Sequence, residues 1–422
     1  MANADRLITL EGPKLRHTPA FDGFRGFGVL IVVFYHSEVV SFLGGAVIVI
    51  DWFFVASGFL ITSLLLDERA STNTNNLRRF YERRILRLFP AMYSMLLLVT
   101  AMLGIVNIVV VSRNMDVDMG RWWIDIVGAA TYSYYLVAAV IPNQVTGVIG
   151  HTWSLSLEEQ FYFIWPFLLV MVLAKARRAS DRTLIIGCVS FIVLMIGLRL
   201  GLQNQIAMVR PKGSAVGAVD YTDLDHPTVA GAIYRIAAVR PDMIIFGCLL
   251  AILKKGAPSP LTEKWRKGLQ TWGFVGFMTF FTFTAFGNRF PDFRLFGRGF
   301  FDLFGGVGYQ VALLMIGPFV LDLYLRPEGF VAKLFSNKHM QWLGVRSYGI
   351  YLWHIPALLP IYPAIHDVYG IRRLILGLIG GLLGIGAGVL SFKFVEKPFL
   401  RLKDTKYRRP QDGNAISEQP SS

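Results

Sequence analysis

Charge is scarce in this chain: 17% of its 422 residues are Asp, Glu, Lys or Arg, against 54% hydrophobic residues. A soluble protein of this size would expose too much apolar surface at that ratio, so a soluble globular fold is excluded. Cysteine is nearly missing. The two present, Cys188 and Cys248, both fall inside apolar segments and read as small core residues, with neither a disulfide framework nor a metal-ligand spacing. No apolar run precedes residue 24, so a cleaved signal peptide is not expected. No internal repeat of the transporter kind is found. No soluble domain is expected at either end, and the last stretch, QDGNAISEQPSS, reads as a disordered tail.

What is present is apolar and aromatic. The mean hydropathy is +0.49, and Phe, Trp and Tyr make up 14% of the chain, as expected where aromatic rings sit at bilayer interfaces. The fold class implied is all-α, a polytopic transmembrane helix bundle. The net charge of +14 is consistent with nucleic acid in the abstract. In a membrane protein it reads instead as basic loops on the cytoplasmic side, so no nucleic-acid partner is expected and the lipid bilayer is.

A spanning helix needs roughly 20 mainly apolar residues. Candidate segments lie at 24–43, 47–66, 91–112, 122–141, 155–174, 183–203, 229–253, 269–287, 303–325, 342–363 and 371–394. Both ends of the chain are basic and therefore assigned to the cytoplasm, which requires an even number of crossings. If 122–137 (WWIDIVGAATYSYYLV) is re-entrant or interfacial, the basic loops 66–87, 174–181, 254–268 and 326–339 all fall inside. About ten spans plus one such segment are therefore expected, in the cell membrane, with the short loop 371–373 as a residual violation. The organisation is a cytoplasmic segment 1–23, a transmembrane domain 24–402 and a disordered cytoplasmic tail 403–422.

Ionisable groups inside spans are costly, and each is a functional candidate by default. In FRGFGVLIVVFYHSE, Arg25 opens a helix and His36 follows eleven positions later, roughly 16 Å along the axis. Taken alone, a histidine there is as readily a packing contact between helices as a general base near neutral pH. Asp51, in VIVIDWFFVASGFLIT, caps its helix or orients the His36 imidazole. Ser57 and Gly58 permit close helix or ligand approach, with packing the better prior for the serine. Arg83, Arg84 and Arg87 crowd about one helical turn, suited to anionic lipid or to a multiply phosphorylated ligand.

Glu158, Glu159 and Gln160 are consecutive in HTWSLSLEEQFYFIWP and point in different directions, so at most one or two face a shared cavity. Arg240 and Asp242 form a charged pair in YRIAAVRPDMIIFGCLLA that has an ordinary structural explanation. Tyr348, Tyr351 and His354 in WLGVRSYGIYLWHIP read as an interface belt and a helix–helix contact, and Glu396-Lys397-Pro398 closes the last span.

Taken in order, these motifs form a recognisable set. Arg25-x10-His36, Asp51-Trp52-Phe53-Phe54 running into Ser57-Gly58-Phe59-Leu60-Ile61-Thr62, Phe80-x-x-Arg83-Arg84-x-x-Arg87-x-x-Pro90 and Trp153-Ser154-Leu155-x-x-Glu158-Glu159-Gln160-Phe161-Tyr162 are followed by two more. Those are Ser347-Tyr348-Gly349-Ile350-Tyr351-Leu352-Trp353-His354-x-Pro356 and Glu396-x-Pro398. The set resembles the acyltransferase-3 family of integral-membrane O-acyltransferases, from residue 20 to about 402. Each motif is weak alone; six in register are specific.

The resemblance implies acyl transfer from cytoplasmic acyl-CoA, with acetyl-CoA the default donor and no metal, to a hydroxyl of an envelope carbohydrate or glycolipid. His36 is then the general base or a transient acyl carrier, with Asp51 or Glu158 fixing its tautomer. Arg25, Arg83, Arg84 and Arg87 would hold the donor phosphates, and Ser57, Trp153, Glu159, Arg240, Tyr348 and His354 would line the substrate path. Some relatives carry a fused SGNH-type hydrolase-like domain that is not expected here, which makes a separate envelope acyltransferase an expected partner. Alternatives are acylation of a macrolide-type small molecule, a non-enzymatic transporter or flippase of a lipid-linked sugar, and a non-catalytic acyl-CoA-binding scaffold.

Overall fold

The first helix begins where the sequence lets it. Thr18 is extended (φ −121°), and Pro19 occupies the first turn, where its missing N–H leaves nothing unsatisfied. Asp22 in that turn complements the helix dipole. The helix, α1 (Pro19–His36), ends when the Ser37 N–H bonds Val33 O and Glu38 turns left-handed at φ 65°. The expected span 24–43 is thus displaced toward the N-terminus, and His36 is the last helical residue.

The computed structural model describes residues 14, 17–43, 45–111, 119–141, 148–175, 181–202, 233, 236–237, 240–286, 294–295, 298–299 and 307–406. Of the tail expected at 403–422, residues 403–406 close the last helix and 407–422 lie outside the described residues, as do the N-terminal thirteen residues and the loop 204–228.

The helix α2 (Ile48–Thr72) stops at Asn73, left-handed at φ 57°, and α3 (Leu77–Val111) absorbs the arginine-rich turn and carries Pro90 within it. The segment expected not to span is broken. Its two halves, α4 (Met119–Ala130) and α5 (Tyr134–Val140), flank Tyr132, whose φ of 52° ends helical propagation. Then follow α6 (Thr152–Lys175), α7 (Asp181–Leu202), α8 (Pro241–Lys255) and α9 (Glu263–Phe286). Arg240, left-handed at φ 56°, and Pro241 start α8, so its helix is shorter than the expected span 229–253. Two two-residue strands, Arg294–Leu295 and Arg298–Gly299, pair antiparallel. They are the only strands among the described residues, and the fold is an α bundle. Last come α10 (Val307–Leu325), α11 (Phe330–Phe335), α12 (Lys338–Leu358), α13 (Tyr362–His366) and α14 (Ile371–Ser391). A π-turn (Phe392–Glu396) leads from α14 into α15 (Lys397–Lys406).

Five stretches among the described residues are long and apolar enough to cross a membrane: Ile48–Thr72, Leu77–Ile105, Thr152–Leu173, Arg182–Arg199 and Ile371–Leu402. Several of them turn apolar side chains outward, such as Phe163, Ile164 and Phe167 on α6 and Leu382 and Leu383 on α14. In water that surface would aggregate; in lipid it is the ordinary exterior of a bundle.

Helix pairs approach closely through glycine. A Cβ on Gly344 of α12 would sit 1.7 Å from the Asp22 carbonyl of α1, and one on Gly247 of α8 would sit 2.0 Å from Val55 O of α2. Small residues at such contacts let backbones touch, which is how helices associate without a hydrophobic driving force between them. Phe24 of α1 fills the adjoining core, its ring 4.2 Å from Trp52, 5.3 Å from Phe280 and 5.1 Å from Phe319. Both cysteines are buried free thiols, as expected of core residues. Gly344→Leu is expected to pry α1 from α12 and cost about 1–3 kcal/mol or more, read as a lower midpoint of thermal unfolding in detergent.

Candidate active site: an arginine-lined cavity backed by three histidines

Five helices converge on a cavity of about 330 Å³. Arg25 enters from α1, Ser57 from α2, Arg84 and Arg87 from α3, Glu158, Glu159 and Tyr162 from α6, and Tyr348 and Tyr351 from α12. The break between α4 and α5 adds Tyr132.

Arg84 lies flat over the Tyr162 ring, 3.1 Å from its centroid, and pairs with Glu159 at 3.5 Å and Glu158 at 3.9 Å. Glu158 Oε1 accepts hydrogen bonds from both the Ser57 and Tyr162 hydroxyls. Those hydroxyls, the arginine and the two carboxylates form one fixed polar floor. Neither Arg25 nor Arg87 makes an ion pair among the described residues, whereas Arg84 is compensated twice. The cavity lining therefore sets three arginines against two glutamates, a net positive balance, and its walls of Phe53, Phe54, Leu60 and Leu64 are apolar. An anionic ligand with an apolar or thin organic portion matches that combination.

The consecutive acidic residues resolve as their spacing requires. Glu158 and Glu159 line the cavity, while Gln160 turns to the α4–α5 break, accepting from the Tyr135 hydroxyl at 2.7 Å and donating to Tyr132 O at 2.8 Å.

His36 does not line this cavity. It belongs to a cluster just behind it: its ring centroid is 5.1 Å from that of His354, which is 5.1 Å from that of His151. Each imidazole has one nitrogen on a backbone carbonyl: His36 Nδ1 on Val32 O at 2.9 Å, His354 Nδ1 on Tyr351 O at 2.5 Å, His151 Nε2 on Leu352 O at 3.0 Å. A carbonyl oxygen only accepts, so those three nitrogens carry the protons, and in the neutral rings the other nitrogen is a lone pair. The tautomer of His36 is thus set by its own helix and not by a carboxylate. Tyr351 joins cluster and cavity. It lines the cavity, its ring is 5.3 Å from His354 and 5.7 Å from His151, and its hydroxyl meets Ser154 Oγ at 2.6 Å and His151 O at 2.9 Å.

The structure sets other expected residues apart. Asp51 is fully buried, with Oδ1 accepting from Arg240 Nε at 2.6 Å, and Arg199 grips Asp242 through two bonds of 2.7 Å. Because the Trp52 ring packs against Phe24, Asp51 lies at the level of the Arg25 turn, and His36 is roughly 16 Å farther along α1. Asp51 and Arg240 therefore form a structural pair rather than a base-orienting carboxylate and a substrate contact. Arg83 is exposed and outside the cavity lining. Trp153 packs edge-on to Phe54 at 5.9 Å, behind the wall. His151 was not singled out from the sequence; a histidine at the mouth of a span, ahead of Trp153-Ser154-Leu155, is the only signal it gives.

The acyltransferase domain family matches residues 18–392. The chain belongs to the acyltransferase-3 family. It is 28% identical over 393 residues to the peptidoglycan O-acetyltransferase OatA of Listeria monocytogenes, covering 91% of this chain and 56% of that one. It is 29% identical over 400 residues to a putative O-acetyltransferase of Staphylococcus aureus, covering 92% of this chain and 58% of that protein. The putative peptidoglycan O-acetyltransferase YrhL of Bacillus subtilis is 28% identical over 399 residues, covering 91% and 55%. The chain thus spans a little over half the length of the curated relatives it matches. No solved structure matches.

For the buried pair the expectation is structural. Asp51→Asn removes the buried carboxylate that pairs with Arg240 and should cost about 3–5 kcal/mol, while the double variant Asp51→Leu with Arg240→Met recovers most of it. Thermal unfolding of the three proteins checks this.

Proposed function

We propose that this chain is an integral-membrane O-acyltransferase that moves an acyl group, acetyl by default, from acyl-CoA to a hydroxyl of a cell-envelope carbohydrate. The observation that carries this reading is the adjacency of two unlike sites: a cavity with more arginines than carboxylates, and an imidazole cluster one tyrosine away. The first suits a phosphorylated donor, the second proton transfer at a hydroxyl. The relatives' names make peptidoglycan the leading acceptor, with a glycolipid or a macrolide-type molecule behind it.

In this reading Arg25 and Arg87 bind the phosphates of acyl-CoA, and Arg84 stays held by Glu158 and Glu159 as the rigid side of the site. The thioester reaches toward Tyr351, Ser154 and the histidines. The lone pair of His36 Nε2 removes the acceptor hydroxyl's proton as the oxygen attacks the thioester carbon. The carbon–sulfur bond then breaks and the proton passes to the CoA thiolate. If His36 first takes the acyl group itself, the same balance is reached in two steps. Peptidoglycan lies outside the membrane and acyl-CoA inside, so the acyl group has to cross. Arg25, in the second turn of α1, and His36, its last residue, are separated along that direction by about 16 Å. A separate envelope acyltransferase as the recipient belongs to the same proposal, as does the inner or plasma membrane with both termini cytoplasmic.

Purified protein in liposomes with acetyl-CoA and an envelope-glycan acceptor is expected to release CoA in an acceptor-dependent way. His36→Ala should lower kcat by about 100-fold or more with acetyl-CoA binding retained. Arg87→Gln should weaken acetyl-CoA by about tenfold, the worth of one charge-assisted contact. Movement of the acceptor across the bilayer with no CoA release in any variant would replace the enzyme by a transporter.

A further inference from the structure

A base that becomes charged during reaction needs something to hold that charge. The usual provider is a carboxylate on the far nitrogen of the imidazole. Here that nitrogen of His36 is occupied by Val32 O, so the charge has to be shared on the other side, where His354 stands. His354 is fully buried and His151 is 8% exposed. His354 Nε2 and His151 Nδ1, the lone-pair nitrogens, are buried and have no hydrogen-bond partner among the described residues. A buried acceptor left unmade is costly, and two on neighbouring rings call for an explanation.

Resting on the acyltransfer reading, we infer that His36, His354 and His151 form one proton-sharing site, in which His354 and His151 are positioning residues that hold the proton His36 takes from the acceptor hydroxyl. The proton leaves the hydroxyl oxygen for His36 Nε2, and as that nitrogen gives it up to a bridging water, the water passes one of its own protons to the lone pair of His354 Nε2 and then of His151 Nδ1. At a centroid spacing of 5.1 Å the lone-pair nitrogens make no direct hydrogen bond, so the proton passes between neighbouring rings through one water. None of the three carbonyl-bound N–H groups has to move. When the carbon–sulfur bond breaks, one proton returns by the same route to the CoA thiolate, so the site ends neutral.

The folded chain builds this arrangement from three separate places: the last residue of α1, the fifth residue from the end of α12, and the turn that opens α6. On α14, Gly384 leaves the space that His354 fills; a Cβ there would lie 3.0 Å from His354 Cα. The other titratable groups facing the cluster are Tyr35 beside His36, Tyr351 between the cluster and the cavity, and Glu38 near His36. Glu38 is itself paired to Arg373 of α14 at 3.0 Å, with Tyr362 nearby. Glu38 is the one carboxylate in that set, and its salt bridge holds it to α14.

The test uses the full chain in liposomes. In wild-type protein, single-turnover acetyl transfer in mixtures of light and heavy water should depend on deuterium fraction along a curve, because more than one proton is in flight; a straight line overturns the inference. His354→Phe and His151→Phe keep a ring but remove the lone pair. Each should lower kcat by about tenfold or more, leave KM for acetyl-CoA within about twofold, and move the acid limb of the kcat profile to lower pH, since the imidazolium loses its acceptor. Acetyl-CoA binding at the arginine cavity checks that each variant is folded. If wild type turns over, His36→Ala does not, and both phenylalanine variants keep the wild-type kcat and acid limb, this inference falls while the acyltransfer reading stands. If wild type never releases CoA, both fall together.

Discussion

The parallel contact of α1 with α12 is the constraint on which the site depends. Its backbones touch because Gly344 has no side chain where the Asp22 carbonyl passes, and Gly26 has none where Met340 O does. Two helices that close and parallel keep a common register for their whole length. Arg25 then comes level with the cavity that Tyr348 and Tyr351 also line, and His36, at the end of α1, meets His354. A bulkier pair of helices would place the same side chains one diameter apart. The binding cavity and the imidazole cluster are therefore consequences of one packing interface, extended by α14 through Gly384 and by α6 through His151.

Buried charge in this bundle divides into two kinds. Arg240 with Asp51 and Arg199 with Asp242 are pairs away from the cavity, and Asp67 takes both Lys255 and, at 3.9 Å, Lys254; each carboxylate offsets a desolvation cost that the cations alone would impose. In the cavity the matching is deliberately short. Arg84 has two carboxylates and a tyrosine ring, while Arg25 and Arg87 have no ion pair among the described residues. Charge left over beside a cavity that a ligand can enter marks a binding site, because its field acts at full strength on whatever anion enters.

Much of this was legible in the chain. An all-α membrane bundle followed from composition, and the segments chosen by hydropathy coincide with helices apart from their ends. Segment 122–141 was marked by its failure to satisfy the loop charges, and it is indeed two short helices divided at Tyr132. Arg25, Arg84, Arg87, Ser57, Glu158, Glu159 and Tyr348 do come together. The misreadings share a cause. Asp51 was matched to His36 on chemistry alone, but the direction of α2 and the packing of Trp52 against Phe24 put it at the level of the Arg25 turn. Arg83 was grouped with its neighbours although one residue along a helix is a turn of about 100°. His151 gave almost no signal, since a lone histidine beside a span is chemically unremarkable until two others are folded against it.

By itself, then, the sequence determined the solvent and the secondary structure: too little charge for water, enough apolar length for lipid, and an ordered set of polar residues that lipid would not tolerate without purpose. Which of those residues meet was decided only by the tertiary structure. The reason is that in a membrane protein the lipid-facing side of a helix is as apolar as its buried side, so hydropathy carries little information about facing. Facing is set by where glycines let backbones approach, and that is a property of two helices at once. It made a structural clamp of Asp51, a cavity wall of Tyr351, and a histidine cluster from three distant stretches of chain.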